Sequence, residues 1–418
     1  MHDLFTSKRT IVISCSPHIV PYLKQETEAA GFPVASESWT TVQTTGTFAD
    51  CIRLNLLLRT ANHVFLLIKK FTAATLQQVY DEVKAVEWEE ILFVHGTPHG
   101  DEGYFSVHSV SEHAEVTNFM FMNMKVKDAI ADRFVQQLGK RPDSGSEKNK
   151  AVIFLHWKNN ECSLYLDTSG ESLTKHGYRK IAMKAPLQES LAAAMISATR
   201  WDAASPFINP MCGSGTLAIE AALMAVNKPP GLIRTNFGFM HVKGFDSTSF
   251  LTLKKELEEK ILPLSPATIL ATDNDRHSLD AAKQNARMAG VEHLIRFVQC
   301  EFEETPLPSQ SSDSSEGVGN PSNLRRPAGI VIFNPPYGER LGVTDELKNT
   351  YAAMGNFLKK KCAGYFGYIF TANPELAKNI GLKPSSKKTF LNGTLECRLL
   401  EFEIFEGSRK DLVMNRKK

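Results

Sequence analysis

A short apolar strand ending at Phe207 and Ile208 runs into NPMCGSGT at 209–216 and then into a helix over 217–226. A strand that breaks into a glycine-rich turn and restarts as a helix is the opening unit of a parallel sheet, because parallel neighbours need a crossover connection. The same grammar repeats downstream. A strand over 268–271 precedes a helix over 278–289, a strand follows over 295–299, and the apolar run GIVIF at 329–333 ends in NPPY at 334–337. The pattern predicts an α/β fold with a doubly wound, mostly parallel Rossmann-like sheet in the second half, entered by a helix over 186–199. Residues 309–327 are rich in Ser, Gly and Asn without periodicity, so 308–328 is expected to be a mobile insertion. At 418 residues the chain exceeds a single core, and two or three domains are expected.

The first 180 residues read as α+β and lack a phosphate-type glycine loop. Strands are predicted at 10–15, 63–70, 91–95 and 104–110, and helices at 19–30, 49–60, 73–86 and 123–138. A solvated loop over 140–150 leads to two strands joined at Asn159 and Asn160. Lys plus Arg number 48 against 46 Asp plus Glu, a net of +2, so bulk charge does not mark a nucleic-acid binder and any such surface is local. Residues 1–180 carry 19 bases and 21 acids, a net of −2, whereas residues 351–418 carry 13 bases and six acids, a net of +7. Seven scattered cysteines without a CxxC pair argue against disulfides and zinc, and no metal is expected. The N-terminus lacks an apolar signal segment and no run of eighteen apolar residues occurs, so the expectation is a cytoplasmic protein with no membrane partner.

The chemistry gathers where the predicted strands end. Gly213 and Gly215 let a ligand approach the backbone, and the helix start behind them offers free N–H groups and a positive dipole. Asp273 stands at the end of the next strand, where a carboxylate can accept from ribose hydroxyls, while Asp275 can equally be a helix N-cap. Glu301 follows the third strand and can receive an adenine amino group. In Asn334, Pro335, Pro336 and Tyr337 the two prolines fix a rigid turn at a strand's carboxyl end. There the Asn334 side-chain oxygen and the Pro335 carbonyl can each accept one hydrogen of an exocyclic amine, and Tyr337 offers a face for a flipped base. A base amine is a poor nucleophile because its lone pair is delocalised, and accepting both hydrogens helps it pyramidalise. That suits methyl transfer from a sulfonium to nitrogen. Cys212 reads as a small buried spacer, since no cysteine accompanies the Asn334 turn as a carbon-methylating thiolate would require.

Together NPMCGSGT, TDND around Asp273 and NPPYGERL at 334–341 resemble the S-adenosylmethionine-dependent amino methyltransferases that carry an N-terminal THUMP domain. The similarity covers nearly the whole chain and is greatest to the bacterial 23S rRNA guanine-N2 methyltransferases, a group also labelled N6-adenine-specific DNA methylases. It implies a ferredoxin-like segment over 1–60, a THUMP RNA-binding domain over 61–170 and a class I methyltransferase domain over 171–418. It implies S-adenosyl-L-methionine as cofactor, with Pro186, Leu187 and Glu189 over it and Asn209, Pro210, Cys212, Gly213, Ser214, Gly215 and Thr216 around its methionine part. Asp273 and Asn274 would serve the ribose, Glu301 the adenine, and Asn334 both cofactor and target amine. RNA, either 23S rRNA or a large-subunit precursor, is the implied partner, with Lys125, Lys127, Arg133 and Arg179 as candidate contacts. The sequence departs from the family's usual Asp at Asn209 and usual Asp at Glu301. The chain ends at Lys418 without the second methyltransferase domain of some relatives, so one kind of methylation is expected. N6-adenine methylation of DNA, guanine-N2 methylation of tRNA and a non-catalytic role as an RNA-binding ribosome assembly factor remain alternatives.

Overall fold

A computed structural model describes residues 3–94, 103–114, 116, 118–181, 187–265, 267–308, 328–337 and 344–405. Pro186 and nearly all of the 308–328 insertion lie outside these residues. The chain divides into two compact units, one of Met1–Thr174 with Pro229–Glu259, the other of Lys175–Lys228 with Lys260–Lys418.

The first unit is built on one eight-stranded sheet, in the order β2-β3-β1-β4-β8-β7-β5-β6. Its strands are β1 Arg9–Ser14, β2 Ser36–Glu37, β3 Thr41–Gly46, β4 His63–Thr72, β5 Phe105–Ser111, β6 Ser144–Gly145, β7 Ala151–Lys158 and β8 Glu161–Asp167. Ile11, Val12 and Ile13 are all buried because β1 lies between β3 and β4 with both faces covered. The β7–β8 hairpin closes at Asn159, whose φ of +52° is one that Asn tolerates. The helix Phe48–Leu57 starts with a reciprocal cap, Thr47 Oγ1 accepting from Asp50 N–H and the Asp50 carboxylate accepting from Thr47 N–H.

Three expectations need correction here. Among residues 91–94 only Leu92 bridges, to Val242, so this apolar run is buried without becoming a strand; His95 lies outside the described residues. The helix expected from residue 123 begins at Phe119, where the Asn118 side chain caps Met120 N–H at 2.8 Å. The loop over 140–150 contains β6, paired in parallel with β5. The segment Pro229–Glu259 also belongs to this unit. Gly231 sits where a Cβ would come within 2.4 Å of Leu56 Cα, and Arg234 donates to the carbonyls of Ser172 and Glu171.

The second unit holds a seven-stranded sheet in the order β11-β10-β9-β12-β13-β15-β14. Its strands are β9 Phe207–Pro210, β10 Ile269–Asp273, β11 Ile295–Gln299, β12 Ile330–Phe333, β13 Phe366–Thr371, β14 Ser386–Asn392 and β15 Leu395–Glu403. From β11 to β13 every pairing is parallel, and the β14–β15 hairpin adds an antiparallel edge. All residues of β12 and β13 are buried, as parallel strands covered by helices must be. Chain order reverses at β9 and β12, and such a switch point opens a crevice at the carboxyl ends of the strands.

Candidate functional site

Beyond β9 the chain turns sharply into the helix Thr216–Ala225. Cys212 N–H donates to Thr272 O at 2.9 Å and Gly213 N–H to Asp273 Oδ2 at 2.9 Å, so β10 holds the turn by main chain and side chain. Gly213 has φ +54° with open space where a Cβ would stand, whereas Gly215, at φ +81°, would press a Cβ to 2.9 Å from Ala282 Cβ. One glycine therefore leaves room for a ligand, and the other lets the helix Arg276–Ala289 pack close. The other carboxylate oxygen of Asp273 accepts from Asp275 N–H at 3.0 Å. Asp275 is the N-cap of that helix, accepting from His277 and Ser278 N–H, and the bond from the Ser278 hydroxyl holds its carboxyl below the ordinary range. Asn274 donates to both Glu301 oxygens at 3.2 and 3.3 Å. Burial, reinforced by Asp273, pushes the Cys212 thiol up, so it is no thiolate nucleophile.

Asn209 is buried at the end of β9. Its Nδ2 donates to Ile332 O on β12 at 2.9 Å, stapling two strands, while its Oδ1 has no hydrogen-bond partner among the described residues. A buried acceptor left open costs about 1–3 kcal/mol, which a ligand N–H can recover. On the neighbouring β12 the Tyr337 hydroxyl donates to Asn334 Oδ1 at 2.5 Å. Asn373 donates to Tyr337 O at 3.3 Å, and Tyr351 donates to Pro336 O at 3.3 Å and lies 2.9 Å from Thr371 Oγ1. The Asn-Pro-Pro-Tyr turn is thus held from behind by Tyr351 of the helix Asp345–Lys361 and by Asn373 in the loop after β13. The Tyr337 ring meets Phe370 edge to face, with centroids 6.0 Å apart.

Arg179, a candidate RNA contact, is engaged inside its own unit. Its guanidinium donates to Leu187 O and to Thr216 Oγ1 and lies 3.6 Å from Glu189, whose carboxyl burial pushes up against the pull of Arg179. Beneath it, Glu220 accepts from the Tyr178 hydroxyl at 2.8 Å and lies 2.8 Å from His176 Nδ1. Asn285 accepts from Lys180 and Ile181 N–H and donates to Ser214 O, tying the glycine turn to the segment before it. Sequence reading missed His176, Tyr178, Glu220 and Asn285. A lone Glu in the otherwise apolar TLAIEAALMA was the available signal.

In the first unit the helix Phe119–Leu138 carries the remaining candidates. Arg133 forms a two-pronged bond with Glu89 through Nε and Nη2 and is mostly buried. Lys125 lies over the Tyr80 ring at 4.8 Å, and Lys127 makes no side-chain bond among the described residues. No group of three or more His, Cys, Asp or Glu among those residues could hold a metal ion, and no helix there is long and apolar enough to cross a membrane.

A mostly parallel sheet with a glycine turn after one central strand and an Asn-Pro-Pro-Tyr turn after its neighbour is the arrangement of class I methyltransferases. The chain belongs to the RMKL-like methyltransferase family, whose methyltransferase domain matches residues 176–401. A THUMP domain matches residues 73–167 and an RlmL ferredoxin-like domain residues 10–65, so the resemblance and fold class drawn from the sequence are borne out. The ribosomal RNA large subunit methyltransferase K/L of Syntrophotalea carbinolica is 35% identical over 395 residues, 93% of this chain and 52% of that protein. The chain thus spans about half the length of the curated relatives it matches. A methyltransferase candidate solved with SAH is 26% identical with a TM-score of 0.78, covering 96% of this chain and 99% of that one. A predicted N6-adenine-specific DNA methylase from Listeria monocytogenes is similarly close, at 26% identity and a TM-score of 0.78, covering 96% of this chain and 97% of that one.

Proposed function

We propose that this chain transfers a methyl group from S-adenosylmethionine to an exocyclic amine of an RNA base, the N2 of a guanine in 23S rRNA. The observation that carries the reading is the adjacency of two strand ends. β9 presents the open Asn209 Oδ1 and the unfilled space over Gly213, and β12 beside it presents Asn334 and Tyr337. The residues fit the cofactor: Asn209 Oδ1 can accept from its amino group, and Asp273 and Glu301 stand at the next two strand ends for the ribose and adenine. Bound there, S-adenosylmethionine supplies an electrophilic methyl on a sulfonium. The chain's own part is to orient the amine. Asn334 Oδ1 and the Pro335 carbonyl accept its two hydrogens, which turns the nitrogen lone pair out of the ring plane, and Tyr337 flanks the base. The Tyr337 hydroxyl fixes the Asn334 amide and leaves the oxygen's second lone pair for the substrate.

The THUMP match and the relatives' naming for large-subunit rRNA favour RNA over DNA. Nucleoside mass spectrometry of 23S rRNA from a strain lacking this protein tests the reading. A missing N2-methylguanosine, restored by the wild-type chain but not by Asn334→Ala, is expected. Unchanged N2-methylguanosine would refute it, and a loss of N6-methyladenine from DNA instead would establish the DNA reading.

A further inference from the structure

In the second unit a groove of about 510 Å³ lies along the edge of the sheet, between the loop after β13 and the β14–β15 hairpin. That volume falls in the roughly 300–1,000 Å³ range of small-ligand sites. Its accessible lining is apolar, formed by Ala372, Pro374, Ala377, Leu382 and Pro384, with Leu400 and Phe402 buried beneath. Its rim carries Lys378, Lys387 and Arg398 against the single carboxylate of Glu396. Lys378 is paired with Glu375 and Arg398 with Glu396, while Lys387 is exposed and makes no side-chain bond among the described residues. Thr371 forms one wall. The same Thr371 bonds the Tyr351 hydroxyl, which reaches Pro336 O, and Asn373, two residues on, holds Tyr337 O. The groove and the Asn-Pro-Pro-Tyr turn therefore share one loop.

We propose that this groove is a subsite for single-stranded RNA next to the target nucleotide, seating an unstacked base on the apolar lining and its phosphates on Lys387 and Arg398. The inference rests on the reading of the chain as an RNA amine methyltransferase. Charge complementarity selects the occupant, because an apolar groove with the unpaired Lys387 and the half-exposed Arg398 on its rim suits a base and its phosphates. Taking a base out of an RNA stack also leaves its neighbours unstacked and in need of a surface.

The test uses the full chain and a fluorescein-labelled twelve-nucleotide oligouridine carrying 4-thiouridine. Lys387→Ala/Arg398→Ala should bind it about tenfold more weakly. Losing two phosphate contacts should flatten the slope of log K against log salt by about 1.4, at about 0.7 per single-strand contact. Lys387→Arg/Arg398→Lys should retain affinity, as should the control Lys255→Ala/Lys260→Ala, at exposed lysines outside the groove lining. Photocrosslinks of the wild type should fall between Ala372 and Arg398. Unchanged affinity and slope in the double Ala variant, crosslinks elsewhere, or no binding by the wild type would overturn the subsite, the last leaving a protein as the groove's occupant. Methyl transfer to rRNA, measured on the same preparations, separates the two ideas. A wild type that methylates rRNA with an unaffected double variant sinks the subsite alone, and one that methylates no RNA sinks the functional reading.

Discussion

Asn209→Asp sets two consequences of one side chain against each other. The amide donates to Ile332 O at 2.9 Å from a site that is 1% exposed, and its own oxygen is open. A carboxylate there has no hydrogen to donate and turns an oxygen toward the Ile332 carbonyl. The orphaned carbonyl costs about 1–3 kcal/mol, and the buried charge adds to this, so the cofactor-free protein should lose roughly 3 kcal/mol near neutral pH. Burial holds the introduced carboxyl's folded pKa above its unfolded value of about 4. The loss is therefore absent below pH 4 and grows as pH rises through the folded pKa. Toward the cofactor the sign reverses. A charged acceptor improves on a neutral one by about 1 kcal/mol, so binding should tighten roughly fivefold to tenfold. Thermal unfolding without cofactor between pH 4 and 8, and calorimetric titration with S-adenosylmethionine, read the two effects separately. A cofactor-free variant as stable as wild type at pH 7.5 would refute the assignment of Asn209 as a strand staple, and weakened binding would refute its open oxygen as a cofactor acceptor.

Gly215→Ala combines a left-handed backbone, about 1–2 kcal/mol, with a Cβ 2.9 Å from Ala282, so scanning calorimetry should show a loss of about 2–4 kcal/mol. Gly213→Ala meets no atom within 4 Å, so it should cost only about 1 kcal/mol in stability and show its effect as weakened cofactor binding on titration. Asn334→Ala should lower kcat by about 10²–10³-fold with little change in cofactor Kd, whereas Tyr337→Phe, which keeps the ring and loses the bond to Asn334 Oδ1, should cost about tenfold; equal losses would show that the hydroxyl rather than the amide carries the effect. Burial, with a contribution from Lys148, lowers the His108 pKa to about 4, and its Nε2 is buried without a partner among the described residues. Its contribution to stability is thus present above pH 6.5 and lost as pH falls toward 4, and His108→Leu should unfold with a flatter acid limb in pH-dependent melting.

The sites that were legible in the sequence are those whose parts lie within a few residues of a strand end. Asn209 lies near the end of β9, Gly213 and Gly215 follow it, Asp273 closes β10 and Asn334 follows β12, so strand placement located the glycines, Asp273 and Asn334, while Asn209 came with the family resemblance. The buried network behind them was not legible, because Tyr178 meets Glu220 across 42 residues and Lys180 meets Asn285 across 105. No local periodicity encodes such partners. The helix start at Phe119 was missed for a different reason. Phe119, Met120 and Phe121 are each about half exposed or more, so the first turn lacks the one-sided apolar spacing from which a helix is read, although Asn118 stood in place as its cap. Residues 91–94 failed in the opposite sense, since burial of Ile91 and Leu92 mimics a strand where only one bridge forms.

Charge shows most clearly why a count along the chain cannot locate an RNA surface. Arg133 and Arg179 looked like donors for phosphate, yet each guanidinium is committed to a neighbouring acid or carbonyl inside its own unit. Removing either would break internal bonds before it touched any RNA contact, so weakened binding in such variants would measure folding rather than recognition. Lys127 and Lys387 are the opposite case, with no side-chain bond among the described residues and hence no internal partner to compete with a phosphate. On the proposed function, a near-neutral protein can read RNA because recognition needs only a few unpaired cations beside a site that accepts an unstacked base. Variants at Lys127 and Lys387 should therefore change the salt dependence of RNA binding without changing melting temperature, and variants at Arg133 and Arg179 should change the melting temperature first.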